Sequence, residues 1–169
     1  MNNPWRVNPK LKDKFHPEYP DDIEAIVHEG FRVSDSKPEQ MWIRVQEFDG
    51  SIFKAILLNQ PFQLKNLKQG DKCLFILEPK LGVLVRVTTE YLNDIKMWEI
   101  TPCDKCSNST LFDPPSRIMH AAFPGLPEGA TTEGFTTFCP FCGGVIIVKN
   151  VGLQVNKKVK KKRWYEFWK

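Results

Sequence analysis

A mostly β fold is predicted, with a small curled antiparallel sheet or half-barrel followed by a ribbon-like C-terminal unit. Three observations predict it. Between residues 41 and 100 the apolar residues come in short β-rich runs separated by turn signals at intervals of about ten residues. Asp49-Gly50, between two of these runs, suits a tight hairpin. Four of the five cysteines form two matched pairs, CDKC and CPFC, near residues 103 and 139. The chain has 169 residues, 41% apolar and 12% aromatic, enough for a packed core of one domain or two small ones.

Residues 1–22 are punctuated by Pro4, Pro9, Pro17 and Pro20 and read as an irregular arm pinned by Trp5 and Phe15. Asp21 and Asp22, ahead of an apolar run, read as a helix cap. The run IEAIVHEG, 23–30, fits a strand or a turn and a half of helix. Two β-rich runs from Met41 to Asn59 flank Asp49-Gly50, the dipeptide whose positive φ angles suit a two-residue hairpin. Alternation puts Trp42, Arg44, Gln46 and Phe48 on one face and Ile43, Val45 and Glu47 on the other, so both faces are expected to be partly covered. Residues 68–71 read as a turn, CLFIL and GVLVRV as strands, and TEYLNDIKMWEI as a helical turn ending in a strand. The expected organisation is an arm over 1–22, a β-rich domain over 23–100, a ribbon over 101–155 and a tail over 156–169.

The stretch from MWIRV through LLNQPF to LKQGDKCLFI resembles the bacterial domain-of-unknown-function family twenty-three fourteen, over about residues 40–87. Its elements are an aromatic strand, a DG turn, a strand ending in an asparagine-proline element, and a Gly-Asp turn into another strand. The resemblance implies a binding role, of the immunity or accessory kind found beside bacterial toxins, and carries over no catalytic residue.

Cys103 and Cys106 form one C-x-x-C and Cys139 and Cys142 another, with 32 residues between the inner cysteines. Two residues between ligands let the backbone curl so that both thiolates reach one ion, and two such knuckles complete a tetrahedron. CPFCGG closely resembles the knuckle of zinc-ribbon proteins, with Gly143 and Gly144 allowing the tight exit. The separation exceeds the usual spacing, but a longer loop costs only about 0.6 kcal/mol per doubling. Disulfides, a redox pair and buried thiols compete. A cytosolic chain disfavours the first, and a redox motif does not call for a second pair. Structural Zn2+ is therefore the expected cofactor, because four thiolates leave no open position for water. Cys73 stands outside both pairs and reads as a buried apolar residue.

An enzyme would need a nucleophile or a matched acid and base. His16, His28 and His120 sit in no such motif, and no phosphate-binding glycine loop is present. His120 follows the first knuckle and could approach the metal, although its apolar neighbours suit a short helix packed near the ribbon. The expected protein is not an enzyme.

The tail holds Lys157, Lys158, Lys160, Lys161, Lys162 and Arg163, then Trp164, Tyr165, Phe167 and Trp168. Against a total net charge of +4, seven cations and one carboxylate lie between Lys157 and Lys169, so the rest of the chain is mildly acidic. The tail could bind nucleic acid, a membrane surface, a protein partner or the protein's own body. Four exposed aromatics would invite aggregation, so docking is expected, with protein ahead of nucleic acid. No secretion signal or membrane span is read from the sequence, and a cytoplasmic location is expected. The expected function is a non-catalytic binding or accessory protein; the alternative is a nucleic-acid-binding zinc ribbon, and a zinc-dependent enzyme comes third.

Overall fold

A computed structural model describes residues 3–30, 36–127 and 129–153. The chain divides into two compact units between Glu90 and Tyr91.

The first unit is a closed five-stranded barrel of β1 (Asp22–Val27), β2 (Glu39–Phe48), β3 (Ile52–Leu57), β4 (Lys72–Glu78) and β5 (Val83–Val87). Each strand runs antiparallel to the one before it. An odd number of such strands leaves the first and last running the same way, so the barrel closes through a parallel β1–β5 seam. That seam has two register pairs, Ala25↔Leu84 and Ile26↔Val85. Just beyond it the imidazole of His28 takes over: Nε2 lies 2.6 Å from the Arg86 carbonyl, and Arg86 Nη1 donates to the His28 carbonyl at 2.7 Å.

Alternation along the strands fills the interior, where Ile23, Ile43 and Leu57 form one row and Val45, Ala55 and Cys73 another. Cys73 is buried as expected. The strand β2 departs from simple alternation. A bulge between Val45 and Glu47 inserts one extra residue, so Phe48 leaves the outward set and stacks on Phe53, ring centroids 4.3 Å apart. The outer face left behind, with exposed Arg44 and Gln46, is more open to water than the sequence suggests.

The β2–β3 hairpin corrects a second expectation. Only Gly50 has a positive φ, 102°, while Asp49 does not, because three residues separate the strands. Asp49 instead accepts bonds at Oδ1 from the amides of Ser51 and Ile52, at 2.9 and 2.8 Å.

The arm lies against the barrel through buried Trp5, as expected, and also through Leu11, which is fully buried. Phe15 packs beside them and bridges to Ile23. Asp21 and Asp22 cap no helix, since β1 begins at Asp22. Asp21 gathers the arm: it accepts from Asn3 Nδ2 at 3.0 Å, Trp5 Nε1 at 2.9 Å and Arg6 Nη2 at 2.7 Å. Asp22, buried, takes a bidentate pair from Arg44 at 2.7 and 2.8 Å.

α1 (Thr89–Asp94) spans the division and runs through a 3-10 turn into β6 (Trp98–Ile100) of the second unit. This strand and β7 (Gly134–Phe138) flank β8 (Val145–Asn150) in an antiparallel sheet of order β6-β8-β7. Trp98, Phe135, Ile146 and Val148 are buried from it. The long segment between the cysteine pairs contains a helix, α2 (Pro115–Ala122). Pro115 at its first position is preorganised for helix, but the N-cap residue is Pro114, which has no capping side chain, and Asp94 substitutes, accepting from Ser116 N at 2.8 Å and Ser116 Oγ at 2.6 Å. Buried Ile118 and Met119 turn one face of α2 inward. Among the described residues no helix is long and apolar enough to cross a membrane.

Candidate metal centre

β6 delivers the chain into the first knuckle, and the second knuckle is the turn joining β7 to β8. Because both strands pair with β8, the two pairs arrive at the same end of one sheet. The Sγ atoms of Cys103, Cys106, Cys139 and Cys142 all lie within 4.8 Å of one another. Cys103 and Cys142 are 3.5 Å apart and Cys106 and Cys139 are 3.6 Å apart.

The two knuckles repeat one another. Ser107 N donates to the Cys103 carbonyl at 3.0 Å, and Gly143 N donates to the Cys139 carbonyl at 3.0 Å. Cys103 N donates to Asn108 O at 2.8 Å, as Cys139 N does to Gly144 O at 2.7 Å. Amide N–H groups also point at sulfur: Lys105 N reaches Cys103 Sγ at 3.4 Å, and the amides of Asn108 and Gly144 serve Cys106 and Cys142. These donors stabilise thiolates, the form that binds a metal.

Burial and the neighbouring groups shift the thiols of Cys103 and Cys106 in opposite directions. Burial pushes the Cys106 thiol up to about 12, helped by the neighbouring sulfurs. At Cys103 burial acts in the same direction, but the amides of Cys106 and Lys105 overcome it and draw the thiol down to about 7. Four thiolates this close repel one another, and a bound divalent ion removes that repulsion.

Asn108 and Asp104, which sequence reasoning passed over, and Gly144, which it read as allowing the tight exit, tie the knuckles together. Asn108, 0% exposed, donates from Nδ2 to Cys139 Sγ at 3.5 Å and to the Thr110 carbonyl at 2.8 Å, while its Oδ1 accepts from Thr110 N. Asp104 Oδ1 accepts from Val145 N at 2.8 Å, fastening the first knuckle to the start of β8. Gly144 packs so tightly that an added Cβ would stand 2.5 Å from both Cys103 Sγ and Asp104 Oδ1. The only sequence signal for these roles is their position, one or two residues from a ligand cysteine. Phe141, inside the second knuckle, meets Phe112 edge to face, with centroids 5.2 Å apart.

His120 lies half-buried in the last turn of α2, and the converging donor set consists of the four cysteines. His16 accepts the amides of Glu18 and Tyr19 at Nδ1, both at 3.2 Å. His28, 1% exposed, accepts Gly30 N at Nδ1 and faces the Arg86 carbonyl at Nε2, the pattern of a neutral imidazole protonated on Nε2. The first unit also has a cavity of about 390 Å³ beside β1, where Asp13, Lys14, Glu24 and Gln40 meet. Lys14 is engaged there with the Gly82 carbonyl, and Gln40 with Glu24. Lys157, Lys158, Lys160, Lys161, Lys162, Arg163, Trp164, Tyr165, Phe167 and Trp168 lie outside the described residues.

Fold and site together define a β-barrel unit in one chain with a ribbon whose two cysteine knuckles can hold a metal ion. Residues 19–78 match the family described as an uncharacterized protein conserved in bacteria (DUF2314). The match takes in β1 to β4, with Cys73, and ends before the two cysteine pairs, so the ribbon lies outside it. No curated protein and no solved structure matches the chain.

Proposed function

We propose that this chain is a non-catalytic, cytosolic binding or accessory protein of the immunity type, with its ribbon held by a structural Zn2+. The observation that carries the zinc assignment is the closed set of four sulfurs. Zn–S bonds of about 2.3 Å in a tetrahedron require S–S edges of roughly 3.8 Å. The two short edges, 3.5 and 3.6 Å, lie close to that value, and the longest separation within 4.8 Å closes with small side-chain rotations. The ion would neutralise the thiolates and fasten β6 to the β7–β8 hairpin. With every coordination position filled by sulfur, it would have no place for substrate or water.

The non-catalytic part is supported by how the titratable side chains are used. His28 is sealed in the barrel seam, His16 caps a turn, and Asp21 and Asp22 are each saturated by the arm or by Arg44. The accessory role rests on the likeness of residues 19–78 to a bacterial family, which is an analogy of family rather than of site.

Native mass spectrometry of the protein isolated from its bacterial host tests both parts. One zinc and a stoichiometric protein partner are expected. Bound nucleic acid, lost at high salt and on deletion of residues 157–169, would favour the nucleic-acid alternative. An exchangeable metal ligand would favour an enzyme.

A further inference from the structure

The sheet of the second unit turns one face to its core, and its outer face is apolar as well. Along β7 and β8 burial alternates strictly, so Phe135, Thr137, Ile146 and Val148 point inward while Thr136, Phe138, Val145 and Ile147 point outward. An antiparallel sheet with one solvated face ordinarily carries polar residues there. Here Phe138 is 54% exposed, Val145 41% and Ile147 43%. Strand pairing makes them neighbours: Phe138 lies opposite Val145, and Ile147 follows two positions along β8, opposite Thr136.

A lone exposed apolar residue is common on protein surfaces. Three adjacent ones on two paired strands form a patch. Charge does not select its occupant, because exposed Glu99 stands opposite exposed Lys149 on the same sheet and Asp104 is followed by Lys105. Apolar chemistry and proximity must select it instead. β8 ends at Asn150 and the described chain at Leu153. Residues 154–169, outside the described part, continue from that point and carry Trp164, Tyr165, Phe167 and Trp168. Trp164 is 11 residues past Leu153, a reach of up to about 36 Å. The way back along β8 from Asn150 to Val145 is only about 17 Å. The aromatic cluster can therefore come to lie over the patch with chain to spare.

We propose that the C-terminal segment docks back on its own sheet, with side chains of its aromatic cluster covering Phe138, Val145 and Ile147. The cations between Lys157 and Arg163 then form the solvated connection. Tethering decides the choice of occupant. A segment joined by so short a linker is held at an effective concentration on the order of millimolar, which a second copy or a separate partner must exceed. A contact too weak to hold two molecules together is then still populated. Stacking on unpaired bases would require the same rings to leave the sheet. This inference goes beyond the partner-binding reading and does not depend on it.

Fluorine NMR of the full chain, labelled with fluorotryptophan and recorded before and after nuclease treatment, tests the proposal. The Trp164 and Trp168 signals are assigned by replacing each with phenylalanine and compared with those of a free peptide of residues 154–169. Expected are shifts away from the peptide values that persist on dilution and after nuclease, and that are lost in Ile147→Lys, which puts a charge into the patch. Trp98, buried and edge to face with Phe135 at a centroid distance of 5.5 Å, reports whether the unit stays folded. If Ile147→Lys moves Trp98 as well, Val145→Thr with Ile147→Thr takes its place, because threonine keeps the β-branched shape that suits a strand. The shifts should fall there too. Tail signals equal to those of the peptide in wild type overturn the proposal. Shifts that vanish on dilution, as for a second copy, or with nuclease, as for nucleic acid, do the same. So do shifts that survive unchanged in the patch variant whose Trp98 signal is intact.

Discussion

Ser107 and Gly143 are equivalent residues of the two knuckles, each directly following the second cysteine of its pair, with φ of 60° and 71°. Each donates its amide to the carbonyl of the first cysteine at 3.0 Å. The same left-handed conformation is free of strain at the glycine and costs the serine roughly 1 kcal/mol. Ser107→Gly should therefore stabilise the second unit by about 0.5 kcal/mol, after allowing for the looser unfolded chain. Gly143→Ala should destabilise it by about 1 kcal/mol. Chemical denaturation of the metal-loaded protein, followed through the ribbon, measures both.

Gly144 is constrained by space rather than by φ. An alanine Cβ would meet Cys103 Sγ and Asp104 Oδ1 at 2.5 Å, so a ligand sulfur must move. Gly144→Ala should weaken metal binding at least tenfold and cost about 1–3 kcal/mol of stability. Competition with a chromogenic chelator reads the first effect, and an unchanged affinity would show that the knuckle can shift.

Asn108 donates to a sulfur of the opposite knuckle, reaching Cys139 Sγ at 3.5 Å. Asn108→Asp puts a carboxylate against that thiolate and should cost tenfold to a hundredfold in metal affinity, the range expected when a group that orients a ligand is lost. Asn108→Ala should cost less, because it removes the donor without adding charge.

The barrel seam makes the first unit sensitive to acid. Burial, reinforced by the Arg86 charge, holds His28 down at about 3, against an ordinary value near 6.5, despite the opposing bond to the Arg86 carbonyl. A depressed folded value means that the unfolded chain binds the proton more readily. The contribution of His28 to stability is therefore complete above about pH 6.5 and falls as pH drops towards 3, by about 1.4 kcal/mol per pH unit. Urea unfolding of the barrel between pH 7 and pH 4.5 should show this slope, and His28→Gln, less stable at pH 7, should be flatter.

Much of this architecture is legible in the sequence, and the omissions have physical causes. The β2–β3 hairpin, the turn at 68–71 and the two knuckles announce themselves by local chemistry: Asp-Gly, Gln-Gly-Asp and paired cysteines. Closure of the barrel does not, because a parallel seam of two residue pairs leaves no periodic trace. The bulge before Glu47 has no local signature either, yet it decides that Phe48 belongs to the core. Leu11 is a single apolar residue among lysines, and only the tertiary fold buries it. Helix α2 has a proline at its N-cap and so no capping side chain of its own, and Asp94, more than twenty residues earlier, takes that part. In the candidate metal centre the four cysteines were readable from spacing, while Asn108 and Asp104 act through contacts to residues 31 and 41 positions away.

Cys103, Cys106, Cys139 and Cys142 lie close enough to hold one metal ion, which we propose is a structural zinc. Cobalt(II) titration of the reduced full-length apoprotein tests it most directly, because the intensity of the visible bands reports coordination geometry and the near-ultraviolet charge-transfer band reports thiolate number. The account predicts one equivalent of tetrahedral, four-thiolate cobalt, displaced stoichiometrically by zinc and abolished by Cys106→Ser with Cys139→Ser. A weak octahedral spectrum, or a tetrahedral site that keeps an exchangeable water, would contradict it.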